Sequence, residues 1–408
     1  MRKKSFADRR NDLVGRIRVN VTDTEEEKAL KIISGFNRGL QKATYKNVRK
    51  HDELIVHIRQ NIYGNRKVVQ AQFRTLGCRM KKAGSCWNCN YGVSDECLIT
   101  PCQYVQAFKR ALQNVEGNVL VLEALGSITD PKEFDREVFK DIIRIAIESG
   151  KFDCILIETH LSQIPEELLQ YISDVNKGRK RIGFEIGIED MNPENRKLIN
   201  KIGVKNNKLT EVYNMLQKYG MNLSINLIYG FPFMNEQERI NAVVKSVKDI
   251  NKNLPEAEIV LFLMSIKENT IMEWMHKKGV YTPANPWGLV ETTKKLLGDK
   301  DSQSVVTFSW IGEEEKQDPY IQEETCYTCP HCKALIVDFF RNINGTFNPD
   351  ERRELFEQLL GQAENLDCGC YTSFKSKLKE SDGKNPQIRH REFLGKADKL
   401  LFDDEIFK

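Results

Sequence analysis

Three cysteines lie within twelve residues, in 77-GCRMKKAGSCWNCNYG-92, directly after a run that is typical of a strand. Cys78, Cys86 and Cys89 place three thiols on one loop, and thiolates bind zinc and iron–sulfur clusters. Structural zinc usually takes four ligands as two close pairs, and only Cys86 and Cys89 form such a pair here. Candidates for a further zinc ligand are Cys97, Cys102 and His160. Three thiolates favour a cubane cluster that leaves one iron open to a small molecule.

A second cysteine group lies near the C-terminus, in 326-CYTCPHC-332 and 368-CGC-370. It offers five thiols, which are Cys326, Cys329, Cys332, Cys368 and Cys370. Four thiolates suffice for structural zinc, and a second iron–sulfur cluster is compatible with the same ligands. We favour a structural metal site, because a small domain with few large apolar side chains is stabilised by such a crosslink.

The cysteine content also bears on the cellular compartment. The chain has 408 residues and eleven cysteines, and 1-MRKKSFADRRNDLVGR-16 has no apolar run after its charges. Such a start predicts no signal peptide, and no run of eighteen apolar residues predicts a membrane span. We therefore expect a cytosolic protein without a membrane partner, whose clustered thiols bind metal rather than form disulfides.

Short apolar runs alternate with amphipathic segments along most of the chain. The strand-like runs are 67–76, 118–125, 153–159, 181–189, 222–230 and 258–266, and the helical candidates lie near 25–44, 102–113, 131–149, 166–175, 193–201, 208–219 and 236–252. Strands that alternate with helices indicate a parallel α/β sheet, which this pattern leaves open as a flat sheet or a partial barrel. We predict a basic helical extension over 1–66, a core over 67–298 and a cysteine-rich domain over 299–408.

Charge is concentrated at the chain ends although the net charge is only +4. Residues 1–20 carry seven Lys or Arg against two Asp, and 375–396 is again rich in cations. Such segments either contact phosphates of a nucleic acid or form a solvated surface.

The cysteine spacing and the motif order resemble the radical S-adenosylmethionine superfamily. Seven and then two residues separate the cysteines in 78-CRMKKAGSCWNC-89, which is similar to a branch that includes archaeosine synthase and the elongator tRNA-modifying enzymes. The motif order over about 75–390 is most similar to archaeosine synthase. The matching motifs include 77-GC-78, 84-GSCWNCNY-91, 126-GS-127, 183-GFEIGIED-190, 200-NK-201 and 230-GFPFMNEQE-238. One departure is Asn88, where the superfamily commonly has an aromatic residue and this chain has Trp87 one position earlier.

The resemblance implies a partial (β/α)6 TIM-type barrel with a [4Fe-4S] cluster on the three loop cysteines and S-adenosylmethionine as cofactor. Carbonyls near Gly126 and Ser127 are then acceptors for the cofactor's ammonium, since Gly permits close backbone approach. Glu189 is expected at the ribose, and the segment from Ile228 to Pro232 at the adenine. The alternatives are a tight turn for 126–127 and a charge near a helix N-terminus for Glu189.

The resemblance further implies an enzyme that cleaves S-adenosylmethionine to a 5′-deoxyadenosyl radical, with a ferredoxin- or flavodoxin-type electron donor. Its substrate is expected to be a lysine adduct of 7-deazaguanine in tRNA, with cleavage of a carbon–nitrogen bond, and its partner a lysine-transferring subunit. Two alternatives stay open. The same core can act on a small metabolite or peptide, or the chain can be a zinc-stapled binding module without redox chemistry.

Overall fold

The computed structural model describes residues 22–48, 55–63, 66–75, 77–91, 99–298, 306–309 and 328–402. The predicted ligand Cys326 and the alternative zinc ligand Cys97 lie outside these ranges. One sheet of eight strands, paired in chain order, forms the centre of the described protein. The strands are β1 (Val56–Tyr63), β2 (Arg66–Phe73), β3 (Val119–Ala124), β4 (Cys154–Glu158), β5 (Arg181–Glu189), β6 (Asn222–Tyr229), β7 (Glu258–Leu263) and β8 (Val306–Ser309).

The six predicted strands correspond to β2 through β7, and all of them pair in parallel. Two strands were not predicted. β1 pairs antiparallel with β2 at one edge, and β8 pairs in parallel with β7 at the other. β1 lies in the predicted extension and β8 in the predicted cysteine-rich domain, yet both extend the central sheet.

Helices connect the parallel strands, as crossover connections require. The helices are α1 (Glu25–Val48), α2 (Arg79–Lys82), α3 (Pro101–Gln113), α4 (Arg136–Glu148), α5 (Glu166–Asn176), α6 (Pro193–Lys197), α7 (Asn206–Lys218), α8 (Glu236–Asn253), α9 (Ile271–Lys277), α10 (Pro286–Leu297), α11 (Pro330–Ile343), α12 (Pro349–Glu364), α13 (Cys370–Lys377) and α14 (Pro386–Phe402). Several of these helices start with N-cap signals, such as the capping boxes of Thr100 with Gln103 and of Asn235 with Glu238. Within the described ranges, no helix combines the length and apolarity that a membrane crossing requires.

The two faces of the sheet differ in polarity. Side chains such as Leu120, Leu122 and Ile155 face the helices and belong to the main hydrophobic core. The other face encloses a cavity of about 330 Å³. Every strand from β2 to β8 contributes to it, through Gln70, Glu123, Glu158, Glu185, Asn226, Val260 and Thr307. Because seven of its strands border one cavity, the sheet must curl, and β1 and β8 are its edges among the described strands. The predicted partial barrel is therefore confirmed, with eight strands in place of six.

A second hydrophobic cluster joins the first and last described helices. Phe36 of α1 and Phe393 of α14 pack with Trp87 of the cysteine loop and Trp274 of α9. The ring centroids of Trp87 and Phe393 lie 6.2 Å apart, and those of Phe36 and Trp274 lie 5.7 Å apart. This packing covers the outer side of the loop that carries Cys78, Cys86 and Cys89. The predicted boundaries between the extension, the core and the cysteine-rich domain remain a prediction.

Candidate metal and cofactor site

The three loop cysteines line one end of the barrel cavity. Cys78 immediately precedes α2, and Cys86 has a positive φ of 54°. The backbone N–H of Cys89 donates to the carbonyl oxygen of Cys86 at 3.1 Å, so these two residues share one tight turn. The loop follows β2 at the carboxyl ends of the parallel strands, where active sites of barrel folds lie.

Two neighbouring segments hold this loop in place. The N–H of Trp87 donates to the Ile199 carbonyl at 2.9 Å, and the N–H of Cys86 donates to the Asn200 carbonyl at 3.3 Å. From the other side, the buried Lys81 ammonium donates to Asn37 Oδ1 at 3.1 Å and to the Cys86 carbonyl at 3.3 Å. The motif 200-NK-201 therefore supports the cysteine loop through its backbone.

Burial dominates the electrostatics of the thiols. It raises the pKa of Cys78 to about 12 and that of Cys86 to about 11. The positive charges of Lys201 and Lys81 oppose the effect at Cys86. Without a bound cation these thiols stay protonated at neutral pH, so metal binding must release their protons.

Gly126 follows β3 with a φ of 131° and lies against the loop. A Cβ at this position would be 3.0 Å from Cys78 Cα and 2.3 Å from Glu133 Oε2. The buried Glu133 carboxylate accepts the backbone N–H groups of Arg79 and Ser127, each at 2.6 Å. Glu133 thus ties the residue after Cys78 to the turn after β3. The sequence offered no periodic or motif signal for this role of Glu133.

Substituting Gly126 by alanine is expected to disturb the loop. The side chain meets both backbone strain and a close contact with Cys78, so we expect a loss of about 3 kcal/mol of unfolding free energy. Gly150→Ala is the control, because Gly150 also has a positive φ, 68°, with no atom within 4 Å of a Cβ. That variant should lose only about 1 kcal/mol. Urea unfolding and iron content measure the difference, and equal losses for the two variants would contradict the contact with Cys78.

Glu189 ends β5 beside a register shift and has a φ of 67°. It forms an ion pair with Lys201, and both residues line the cavity. A Cβ on Gly187 would come within 3.0 Å of Lys201 Nζ, so glycine leaves room for this pair. Burial lowers the pKa of Lys201, but the charge of Glu189 and the hydrogen bond to it raise this pKa by more, and the ammonium stays charged.

The other predicted cofactor residues divide into two groups. Gly126, Glu189 and Ile228 line the cavity, whereas Ser127 and Pro232 are not among its lining residues. Ser127 is fully buried. Its Oγ lies 2.5 Å from Thr159 Oγ1 and accepts the N–H of His160 at 3.2 Å. The Ser127 side chain therefore has a structural role in joining the ends of β3 and β4.

Two further residues near the thiols bear on the sequence interpretation. His160 lines the cavity with its Nε2 3.9 Å from Cys78 Sγ, and burial lowers its pKa to about 4, so the imidazole is neutral. Asn88 also lines the cavity, while Trp87 is fully buried outside it. The departure at Asn88 thus places an amide where the superfamily commonly has a ring.

Four C-terminal thiols come together in space. The Sγ atoms of Cys329, Cys332, Cys368 and Cys370 all lie within 4.8 Å of one another. Cys332 Sγ lies 3.5 Å from Cys368 Sγ, and the Cys332 N–H lowers the pKa of Cys329 to about 7. The group joins the start of α11 to the start of α13. Tyr371 then packs on Trp287 of α10 with ring centroids 4.8 Å apart.

No known protein-family profile matches the chain. Archaeosine synthase subunit beta of Methanosarcina acetivorans is 23% identical over 325 residues, which cover 78% of this chain and 86% of that protein. The chain is similar to archaeosine synthase subunit beta over most of both chains. The resemblance predicted from the motifs is thereby confirmed, and the prediction of an enzyme agrees with it.

Solved structures overlap this chain more loosely. Elp3 of Methanocaldococcus infernus gives a TM-score of 0.41 at 16% identity, and the overlap covers 59% of each chain. Coproporphyrinogen III oxidase of Escherichia coli, a radical SAM enzyme, gives a TM-score of 0.36 at 14% identity, with 83% of this chain and 90% of that chain covered. The strand order and the site described above stand independently of these overlaps.

Proposed function

We propose that the chain acts on a modified tRNA base, as a carbon–nitrogen lyase on a lysine adduct of 7-deazaguanine. The observation that carries the proposal is the similarity to archaeosine synthase subunit beta over most of both chains. A cavity that passes from the cysteine loop into the barrel supplies a space where a side chain of the adduct can meet a cofactor.

In this proposal Cys78, Cys86 and Cys89 hold the [4Fe-4S] cluster. The donor set fits, because three thiols face one cavity and the cations Lys81 and Lys201 lie beside them to offset thiolate charge. When bound together, a reduced cluster and S-adenosylmethionine supply a carbon radical that removes a hydrogen atom from the substrate.

The chain's own residues position the cofactor. The Gly126 carbonyl is the proposed acceptor for the ammonium, because Gly126 lines the cavity, whereas the Ser127 carbonyl already accepts the N–H of Asp130 at 3.1 Å. Glu189, held by Lys201, offers its second carboxylate oxygen to ribose hydroxyls. Ile228, which lines the cavity, offers an apolar wall for adenine, whereas Pro232 lies outside the cavity lining. Such a wall also keeps water away from a reactive intermediate.

The proposed partners follow from the reaction. A low-potential donor of the ferredoxin or flavodoxin type supplies the electron, and a lysine-transferring subunit makes the adduct. The relative is named as one subunit of a synthase, which supports a partner subunit. tRNA binding would use basic surface, and its affinity should fall steeply with salt.

For the C-terminal thiols we propose zinc rather than a second cluster. Tetrahedral zinc with bonds of about 2.3 Å to sulfur spaces its thiolates about 3.8 Å apart. The 3.5 Å between Cys332 and Cys368, within a group that spans 4.8 Å, is close to that spacing. A cubane cluster binds each thiolate on a separate iron and needs a wider set.

An anaerobic assay tests the proposed reaction. With reductant and S-adenosylmethionine, tRNA that carries the lysine adduct should yield the amidine base and increase 5′-deoxyadenosine at least tenfold over the tRNA-free reaction. Unmodified tRNA is the control and should give no increase. Uncoupled 5′-deoxyadenosine formation that ignores the adduct would reject the tRNA substrate and favour a small metabolite or peptide.

A further inference from the structure

The inner wall of the barrel carries a row of carboxylates deeper than the cysteine loop. Glu158 and Glu185 are directly paired across β4 and β5, and Glu123 follows the pair of Leu122 with Ile157 on the adjacent strands. All three carboxylates line the cavity. Glu158 lies two residues before His160 on the same face, which places it about 7 Å further into the barrel. The proposed cofactor residues do not include any of the three.

The positive charge near the three glutamates is concentrated beside Glu123. Arg59 of β1 forms a buried ion pair with Glu123. For Glu158 and Glu185, the described residues provide no ion pair. Glu158 shares a hydrogen bond with Glu123 and is influenced by the Arg59 charge, but the neighbouring carboxylates repel one another. Burial, with this repulsion, raises the pKa of Glu158 well above its usual range, and burial raises that of Glu185 to about 7. A buried pair of this kind is stabilised when a cation binds between its members.

An amide oxygen beside the pair lacks a partner. The Asn226 side chain is 6% exposed, and its Nδ2 donates to Glu185 Oε1 at 2.8 Å. That bond orients the amide, because the reverse orientation would set its oxygen against the carboxylate. Asn226 Oδ1 is then buried without a hydrogen-bond partner at the cavity wall. A buried acceptor without a donor is uncommon in folded proteins and points to a donor supplied by a ligand.

We infer that Glu158, Glu185 and Asn226 form a subsite for a protonated alkyl amine of the substrate. A primary ammonium has three N–H donors and no acceptor, and this wall offers two carboxylates and one amide oxygen. A metal ion is less suited. Among the described residues, the group whose ligand atoms lie close enough together to hold a metal ion, within 4.8 Å of one another, is the C-terminal cysteine set. These carboxylates do not form such a group.

The inference rests on the proposed function, because the lysine part of the proposed adduct carries such an amine. With the amine in this subsite, the alkyl chain runs past the thiol end of the cavity toward the base at its mouth. The carbon next to the cofactor is then held in position by the amine subsite on one side and by the base on the other. Glu158 and Glu185 act as positioning residues, because they bind the substrate at a point distant from its reacting atoms.

The test combines a binding measurement with a kinetic one. Titration calorimetry of the reconstituted protein compares 1,5-diaminopentane with 1,5-pentanediol, which has a similar length and no charge. We expect the diamine to bind about tenfold to a hundredfold more tightly, and the Glu158→Gln, Glu185→Gln double variant to lose that preference. Glu137→Gln, at an exposed position of α4, is the surface control for loss of a carboxylate and should keep it.

In turnover of the adduct, the double variant should raise KM at least tenfold more than Glu137→Gln does. Acetylation of the α-amine of the adduct should impair wild type strongly and the double variant little. Iron content and melting temperature check that each variant is folded. A wild-type protein that does not prefer the diamine, or a double variant that keeps the preference, overturns the amine subsite. An adduct that is not turned over, together with a diamine preference that depends on Glu158 and Glu185, rejects the lyase proposal and leaves the subsite supported.

Discussion

Cys86→Ala is expected to reduce cleavage of S-adenosylmethionine to background, even without substrate. The residue is buried at the cavity, between Lys81 and Lys201, and in the proposed site it supplies one of three iron ligands. Loss of one ligand from a three-thiolate site prevents stable cluster binding rather than slowing one step. Alanine keeps the Cβ at this positive-φ position, so the backbone of the loop changes little.

The measurements are iron and sulfide content and anaerobic formation of 5′-deoxyadenosine. Cys102→Ala is the matched control, because Cys102 is an exposed thiol on α3. It should retain both the cluster and the activity. Full iron content and activity in Cys86→Ala would exclude the loop cysteines as the cluster ligands.

Cys329→Ala is expected to remove the C-terminal metal and lower the melting temperature by roughly 5 °C or more. Its thiol has a lowered pKa of about 7 and belongs to the four-thiol group that joins α11 to α13. Without the metal, three thiols remain in contact with no charge to hold them together. The helices that pack on α10 then lose their crosslink.

Differential scanning calorimetry with zinc and iron analysis checks this prediction. Cys102→Ala should match wild type in both melting temperature and zinc content. If Cys329→Ala loses one equivalent of zinc together with stability, the structural zinc site is supported. Iron and sulfide in the site of a protein that lacks the loop cluster would instead identify an auxiliary cluster.

The strands of the barrel were predictable where apolar side chains dominate them. β3 and β6 are almost continuously buried, and their apolar runs are visible in the sequence. β1 was missed because 56-VHIRQNIY-63 is largely polar and edges the sheet, with Arg59 directed toward Glu123. β8 was missed because it has only four residues. Edge strands depend on their neighbours more than on their own composition.

The thiols of the site were predictable because their spacing is local in sequence. The residues that hold these thiols in place were not predictable, because they are distant in sequence. Glu133 acts through two backbone N–H groups, and its contact with Arg79 spans 54 residues. The carboxylate row had a signal that the apolar runs obscured, since Glu123 and Glu158 lie at the ends of β3 and β4 and Glu185 lies at the centre of β5. Only the strand register reveals that they lie side by side.

The packing of Trp87 under α14 determines when, during synthesis of the protein, the cysteine loop becomes covered. Trp87 lies between Cys86 and Cys89, and its buried ring contacts Phe393 near the end of the described chain. A ribosome synthesises the loop some three hundred residues before it synthesises that partner. The growing chain therefore carries its cysteines uncovered for most of its synthesis. A cluster bound by the loop cysteines, as proposed, gains this cover only after the last helix has been synthesised.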